Sequence, residues 1–187
     1  MLCDSHGRVY CGMLASNYFD SLKRGKYGSF WCWDQNEFTC LEDKIAPTPN
    51  GIRISPEGDR LYFAVTDADC IYVYDYDLET GALSNRRVFA EKCFPDGIAV
   101  DELGRVWVAD CKPTGGVLCY DSTGKLLQKI NFPVRRVISL AFGGADRKIL
   151  FVTTANENQP IGQCDGGVFY IRTEHAGANE YRFPRIK

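Results

Sequence analysis

Short runs of alternating apolar and polar positions dominate the chain. Phe30-Trp31-Cys32-Trp33 and Ile71–Tyr76 alternate with a period of two and are rich in aromatic and β-branched residues. That is the pattern of half-buried strands. Glycine, proline, asparagine and aspartate separate the runs, as expected of tight turns. No stretch keeps a helical period, so the chain is read as all-β.

The runs recur. Asn50-Gly-Ile-Arg-Ile-Ser leads through Pro56-Glu-Gly-Asp to Arg60-Leu-Tyr-Phe-Ala-Val, and a further apolar run follows at Ile71–Asp77. Asp96-Gly-Ile-Ala-Val-Asp leads through Glu102-Leu-Gly to Arg105-Val-Trp-Val-Ala-Asp, followed by Val117–Asp121. Asn50 precedes Asp96 by 46 residues, Gly58 precedes Gly104 by 46, and Tyr76-Asp77 precedes Tyr120-Asp121 by 44. Partial copies flank these two. Gly7–Gly12 with Phe30–Asp34 lies upstream, and Arg147–Val152 with Val168–Ile171 lies downstream. The surplus residues at Leu14–Gly28 and Ala155–Gly166 read as loop insertions. A unit of roughly 40–50 residues with up to four strands is the sequence form of a propeller blade. Alternation alone would also suit a sandwich; the repeat favours a β-propeller. The units run approximately over 1–47, 48–93, 94–135 and 136–187, within a single partial domain. The first lacks its innermost strand and the last ends soon after its third. The expectation is an incomplete propeller lacking N-terminal sequence, with exposed blade edges if produced alone.

Composition narrows the classes of function. The 187 residues are 45% hydrophobic and 25% charged, with a net charge of −2. This is an ordinary globular balance, without the cationic footprint of a nucleic-acid or membrane-surface protein. No apolar run reaches the length of a membrane span. Nine cysteines cannot all pair within the chain and include no Cys-x-x-Cys spacing. Buried thiols in a reducing, cytoplasmic setting are the favoured reading over a disulfide framework or a zinc cluster.

Asn50 and Asp96 occupy equivalent positions, each in a Pro-x-Gly-Ile context just before the first strand of a unit. In a propeller these strands line the central channel, so their equivalent ends converge. An amide oxygen and a carboxylate there suit a hard divalent cation such as calcium, magnesium or manganese, and zinc less typically. Asn-Gly and Asp-Gly are also the favoured tight-turn pairs, so from spacing alone both readings stand. The equivalent downstream position is about Ile138, which cannot coordinate. Other chemistry is sparse. There is no nucleophile elbow and no phosphate-cradling loop, and the two histidines, His6 and His175, rule out a three-histidine site. His6, the Asp75/Asp77/Glu79 group and the pairs Arg86-Arg87 and Arg135-Arg136 are expected on solvated faces. Trp31 and Trp33 are expected to pack.

Taken in order, several stretches resemble the family of regucalcin (senescence marker protein), gluconolactonase and the luciferin-regenerating enzyme. They are Pro49-Asn-Gly-Ile, Tyr76–Gly81, Ser84–Phe89, Pro95–Asp101, Gly104–Ala109, Pro133-Val134, Phe142–Gly144 and Val152–Ala155. The resemblance implies a six-bladed propeller, about four blades of it in this chain, with one divalent metal in the channel. It implies metal-dependent hydrolysis of sugar lactones, with no obligate protein partner. Asn50 and Asp96 take the positions of two metal ligands, and Asp96 is also the candidate general base, ranked below its ligand role. The remaining family ligand, a glutamate of the first blade, has no counterpart here, nor have an upstream asparagine and arginine that contact substrate. Gly12-Met13-Leu14 departs from the family's Gly-Thr-Met, Asn17 stands near the place of a substrate-contacting glutamate, and Val65-Thr66 replaces an aspartate-serine, with Asp67 a displaced equivalent. The alternative is a non-catalytic, calcium-binding regulatory protein.

Overall fold

A computed structural model describes residues 1–14, 27–45, 47–156, 164–181 and 183. Most of both expected insertions, and Asn17 with them, lie outside the described residues. Fifteen strands fall in four antiparallel sheets. The first holds β1 (Leu2–Cys3), β2 (Val9–Met13), β3 (Ser29–Asp34) and β4 (Glu37–Glu42). The second holds β5 (Pro49–Ile54), β6 (Arg60–Val65), β7 (Cys70–Tyr76) and β8 (Leu83–Glu91). The third holds β9 (Pro95–Val100), β10 (Val106–Asp110), β11 (Gly116–Tyr120) and β12 (Leu126–Asn131). The fourth holds β13 (Val137–Gly143), β14 (Ile149–Thr154) and β15 (Val168–Arg172). Each sheet is a meander in chain order, as short turns between alternating runs dictate. The arrangement is four blades of a β-propeller. The first blade does keep a remnant of an inner strand, because Leu2 and Cys3 pair with Tyr10 and Val9.

Three apolar layers hold the blades face to face. Tyr10, Phe30, Ile52, Leu61 and Phe63 fill the layer between the first two sheets, with Phe30 stacked on Phe63 at 4.3 Å between ring centroids. Tyr62, Ile71, Ile98, Val106 and Val108 fill the next. Ala99, Trp107, Val117, Leu140, Leu150 and Val152 fill the third. Each large side chain buried there contributes roughly 1.5–3 kcal/mol of transfer free energy. Both faces of β6, β10 and β11 are covered, which explains their unbroken apolar runs. In β3 the alternation puts Phe30 and Cys32 in the core and Trp31 and Trp33 on the other face, where Trp33 meets Phe183 at 5.4 Å. Trp31 and Trp33 are thus half-buried.

The cysteines are free. Burial pushes the Cys93, Cys111 and Cys119 thiols up to about 12, so they stay protonated and inert. Arg86 and Arg87 sit on a solvated face as expected, paired with Glu42 and Asp75. Arg135 and Arg136 do not: both are half-buried, and the Arg136 Nη1 donates to the Cys111 carbonyl at 3.3 Å. Their place at the start of β13, between two blades, removes them from open solvent.

Candidate functional site

The first strands of successive blades run side by side at backbone contact. A Cβ added at Gly51 would lie 2.6 Å from the Asp96 carbonyl oxygen, and one at Gly97 would lie 2.6 Å from Ser139 Oγ. Gly51, Gly97 and Ser139 are therefore equivalent, which puts Asn50, Asp96 and Ile138 in register around the channel.

A shared irregularity turns these three positions. Between Pro49 and Ile52 the ladder of β5 with β6 contains one extra residue. The same slip occurs between Pro95 and Ile98 opposite β10, and between Val137 and Ser139 opposite β14. Each is a β-bulge, which bends a strand and re-aims a side chain. The bulge falls at Asn50, at Asp96 and at Ile138. The Gly after Asn50 and after Asp96 thus serves close strand approach, not a hairpin turn.

Two polar contacts fix the Asn50 amide. Thr66 Oγ1 donates to the Pro95 carbonyl at 2.7 Å. With its proton so committed, it can only accept from Asn50 Nδ2, 2.8 Å away. The amide nitrogen is therefore turned to Thr66, and Oδ1 is left as a free acceptor. This chain also ties the blade of Asn50 to the strand that carries Asp96. The lead into Asp96 is pinned as well. Phe94 holds a φ of 36°, unusual for a bulky residue. Its N–H donates to Asp69 Oδ1 at 2.8 Å, and its carbonyl accepts from Cys111 N at 3.1 Å. Asp69 in turn faces Lys112 Nζ at 3.3 Å. Burial alone pushes the Asp96 carboxyl up to about 6.

The two donors suit a hard cation in kind: one half-buried carboxylate and one amide oxygen oriented by its own hydrogen bond. Among the described residues no group of three or more His, Cys, Asp or Glu is placed to hold a metal ion. Asp67 is held otherwise, accepting from Thr48 Oγ1. Met13 and Leu14 are exposed.

Residues 1–156 match the family described as SMP-30/Gluconolactonase/LRE-like region. The chain belongs to that family. A pentonolactonase of Haloferax volcanii is 32% identical over 195 residues, covering 97% of this chain and 64% of that protein. Regucalcin of Sus scrofa is 31% identical over 178 residues, covering 90% of this chain and 59% of that protein. The chain thus spans about three-fifths of the length of these relatives. A solved calcium-binding protein, regucalcin of Agrobacterium tumefaciens, superposes with a TM-score of 0.83 at 24% identity, over 98% of this chain and 63% of that one; at that identity the likeness is one of fold. Within the SMP-30/gluconolactonase family, both lactone hydrolases and regucalcins are thus similar to this chain.

Sequence reasoning noted Thr66 only as a departure from the family's aspartate-serine and missed its bond to Asn50; it missed Asp69 altogether. Thr66 lies 16 residues from Asn50 in a short 3-10 turn, Thr66–Ala68. The buried pairs Asp4–Arg8 and Asp101–Arg105 were also missed. Their signal is legible in retrospect as Asp-x-x-Gly-Arg-x-aromatic at residues 4–10 and 101–107.

Proposed function

We propose that the chain belongs to a metal-dependent hydrolase of sugar lactones, with Asn50 and Asp96 as ligands of one divalent cation in the channel. The observation that supports this reading is the pair of β-bulges at equivalent positions of two adjoining inner strands, one at Asn50 with its amide nitrogen held by Thr66 and one at the half-buried Asp96. The similarity to a pentonolactonase supports the substrate class. A bound cation there supplies polarisation of the lactone carbonyl.

The chain's own residues do the remaining work. Thr66 holds Asn50 Nδ2 and so leaves Oδ1 as the acceptor. Asp69 and Cys111 hold Phe94, and so the direction from which Asp96 enters. Asp96 can hold a proton taken from the attacking water, because a carboxyl raised to about 6 is close to the neutral range in which a general base works best. We rank its ligand role first, since a bound cation lowers that value again. Hydrolysis forms a bond between water oxygen and the carbonyl carbon. The ring C–O bond breaks, and the proton goes to the departing alkoxide.

The test is hydrolysis of gluconolactone, followed by acid release, with the chain and with any longer natural form that contains it. Turnover is expected to stop with a chelator, to return with calcium, magnesium, manganese or zinc, and to be lost in Asp96→Ala. Turnover indifferent to both chelator and Asp96→Ala would overturn the assignment. The similarity to regucalcins favours a second reading: cation binding without turnover. It would be the conclusion if cations shift the melting of wild type but not of Asp96→Ala while no lactone is hydrolysed. The free, mainly buried thiols fit a cytoplasmic setting, and among the described residues no helix is long and apolar enough to cross a membrane.

A further inference from the structure

At the opposite end of the inner strands lies a cavity of about 690 Å³, reached by all four blades. Arg53 stands in its wall, three residues along β5 from Asn50, or roughly 10 Å at ordinary strand rise. Its guanidinium is unevenly used. Nη1 donates to the Ile52 carbonyl at 2.8 Å. Nε is buried and has no hydrogen-bond partner. Nη2, which shares one edge of the guanidinium with Nε, meets Glu180 Oε1 at 3.4 Å among the described residues. That exceeds the usual length of a charge-assisted hydrogen bond. Glu180 is itself 59% exposed.

Glu180 belongs to a C-terminal segment laid across this mouth. Ala178 N donates to the Val100 carbonyl at 2.9 Å and Gly177 N to the Arg147 carbonyl at 2.9 Å. Ala176 exchanges backbone and side-chain bonds with Glu102 at 2.8 and 3.0 Å. The segment is therefore fixed by residues 176–178, while the Glu180 side chain makes, among the described residues, the loose contact to Arg53.

Arg53 is partly buried, its side chain 22% exposed, and the Nε/Nη2 edge of its guanidinium is the weakly paired one. Nε–H and Nη2–H are parallel donors at the spacing of two carboxylate oxygens. A buried donor left unpaired is costly, so an acceptor that reaches both atoms has a built-in advantage over Glu180. The rest of the wall restricts what that acceptor carries. Leu2, Ile54, Val100 and Phe142 present apolar surface, and Glu102 and Glu180 offset the charge of Arg147 and Arg53 in the same wall, which favours a singly charged acceptor with an apolar body.

We infer that this cavity is a second ligand site, separate from Asn50 and Asp96, which takes a small monocarboxylate with an apolar body on the Nε/Nη2 edge of Arg53, with Glu180 as the displaceable occupant. It does not depend on the lactonase reading.

The test is calorimetric titration with hexanoate, with inorganic phosphate as the control anion. Wild type is expected to bind hexanoate saturably. Glu180→Gln, an exposed and structurally mild change, removes the competitor and is expected to tighten binding about threefold or more. Arg53→Gln is expected to weaken it at least about tenfold, and Arg53→Lys to recover only part, since a lysine lacks the paired donors. Asp96→Ala is expected to leave it unchanged. The inference is overturned if neither wild type nor Glu180→Gln binds hexanoate, if Glu180→Gln weakens binding, if phosphate binds more tightly than hexanoate, or if Asp96→Ala abolishes binding.

Discussion

Removing the Asp101 carboxylate should unfold the third blade's inner corner. Asp101 is fully buried. Its Oδ1 accepts from the backbone N–H groups of Leu103 at 3.1 Å and Arg105 at 3.0 Å. Its Oδ2 accepts from Arg105 Nε at 2.7 Å and from the Trp107 indole at 2.9 Å. One carboxylate thus closes the turn between β9 and β10 and anchors the first aromatic residue of β10. Asp101→Ala leaves all four donors without an acceptor. Deleting one member of a buried ion pair costs about 3–5 kcal/mol, and Arg105, 24% exposed at its side chain, can recover some solvation, which favours the lower end. For a chain of this length that is a fall in Tm on the order of 10 °C. Asp101→Asn keeps the shape and one acceptor oxygen, and should cost about half as much. Asp121→Ala is the control, because Asp121 makes a similar turn with Thr123 N at 2.8 Å and Lys125 N at 3.1 Å but in solvent; exposed changes of this kind cost little. Urea unfolding followed by circular dichroism measures all three, and Trp107 fluorescence reports the site itself. If Asp101→Ala loses no more than Asp121→Ala, burial is not what gives the motif its strength.

Three further outcomes follow from the same structure. Although burial by itself would raise it, hydrogen bonds from Tyr76 and Arg8 hold the Asp4 carboxyl below the usual range; its contribution is therefore present above about pH 3.9 and is lost as pH falls through the lower folded value, so the gap in urea midpoint between wild type and Asp4→Asn should close in acid, and a gap that persists unchanged at about pH 2 would contradict this. Thr66→Val frees the Asn50 amide to turn and should weaken divalent-cation binding about tenfold or more by calorimetry, with the fold intact by circular dichroism; unchanged affinity would show that Thr66 does not orient the ligand. Gly97→Ala places a Cβ 2.8 Å from Ser139 Cα and should cost about 1–3 kcal/mol, partly recovered by Ser139→Gly, whereas a melt equal to wild type would mean that β9 and β13 are not in contact.

The architecture was legible because it repeats. Alternation located the strands, and the offset of 46 residues between Asn50 and Asp96 put both at one place in the blade. The repeat also put Ile138, 42 residues after Asp96, at the third place, where the bulge in β13 now sits. What the pattern could not express was any feature that one blade makes with another. Thr66 matters because its hydroxyl reaches Pro95 in the next blade. Arg8 joins Asp4 in its own turn but also donates to the carbonyls of Leu78 and Glu79 in the second blade. Asp4 itself accepts from Tyr76, 72 residues away, at 2.6 Å. The Asp-x-x-Gly-Arg-x-aromatic motif was visible, yet its glycine and aspartate read as ordinary turn residues, and only burial distinguishes an ionic anchor from a solvated turn. The tail at residues 174–181 has no counterpart in the repeat, so neither Glu180 nor the role of Arg53 had a sequence signature.

The contact of Gly51 with Asp96 and of Gly97 with Ser139 has a consequence for how such a channel changes over time. Where neighbouring walls touch through main chain, the bore is set by peptide units and not by the groups that project into it. Asn50, Asp96 and Ile138 can then be exchanged for other residues while the diameter of the passage stays constant. A scaffold of this sort separates size from chemistry. It lets descendants keep one aperture and alter what the aperture recognises, one blade at a time.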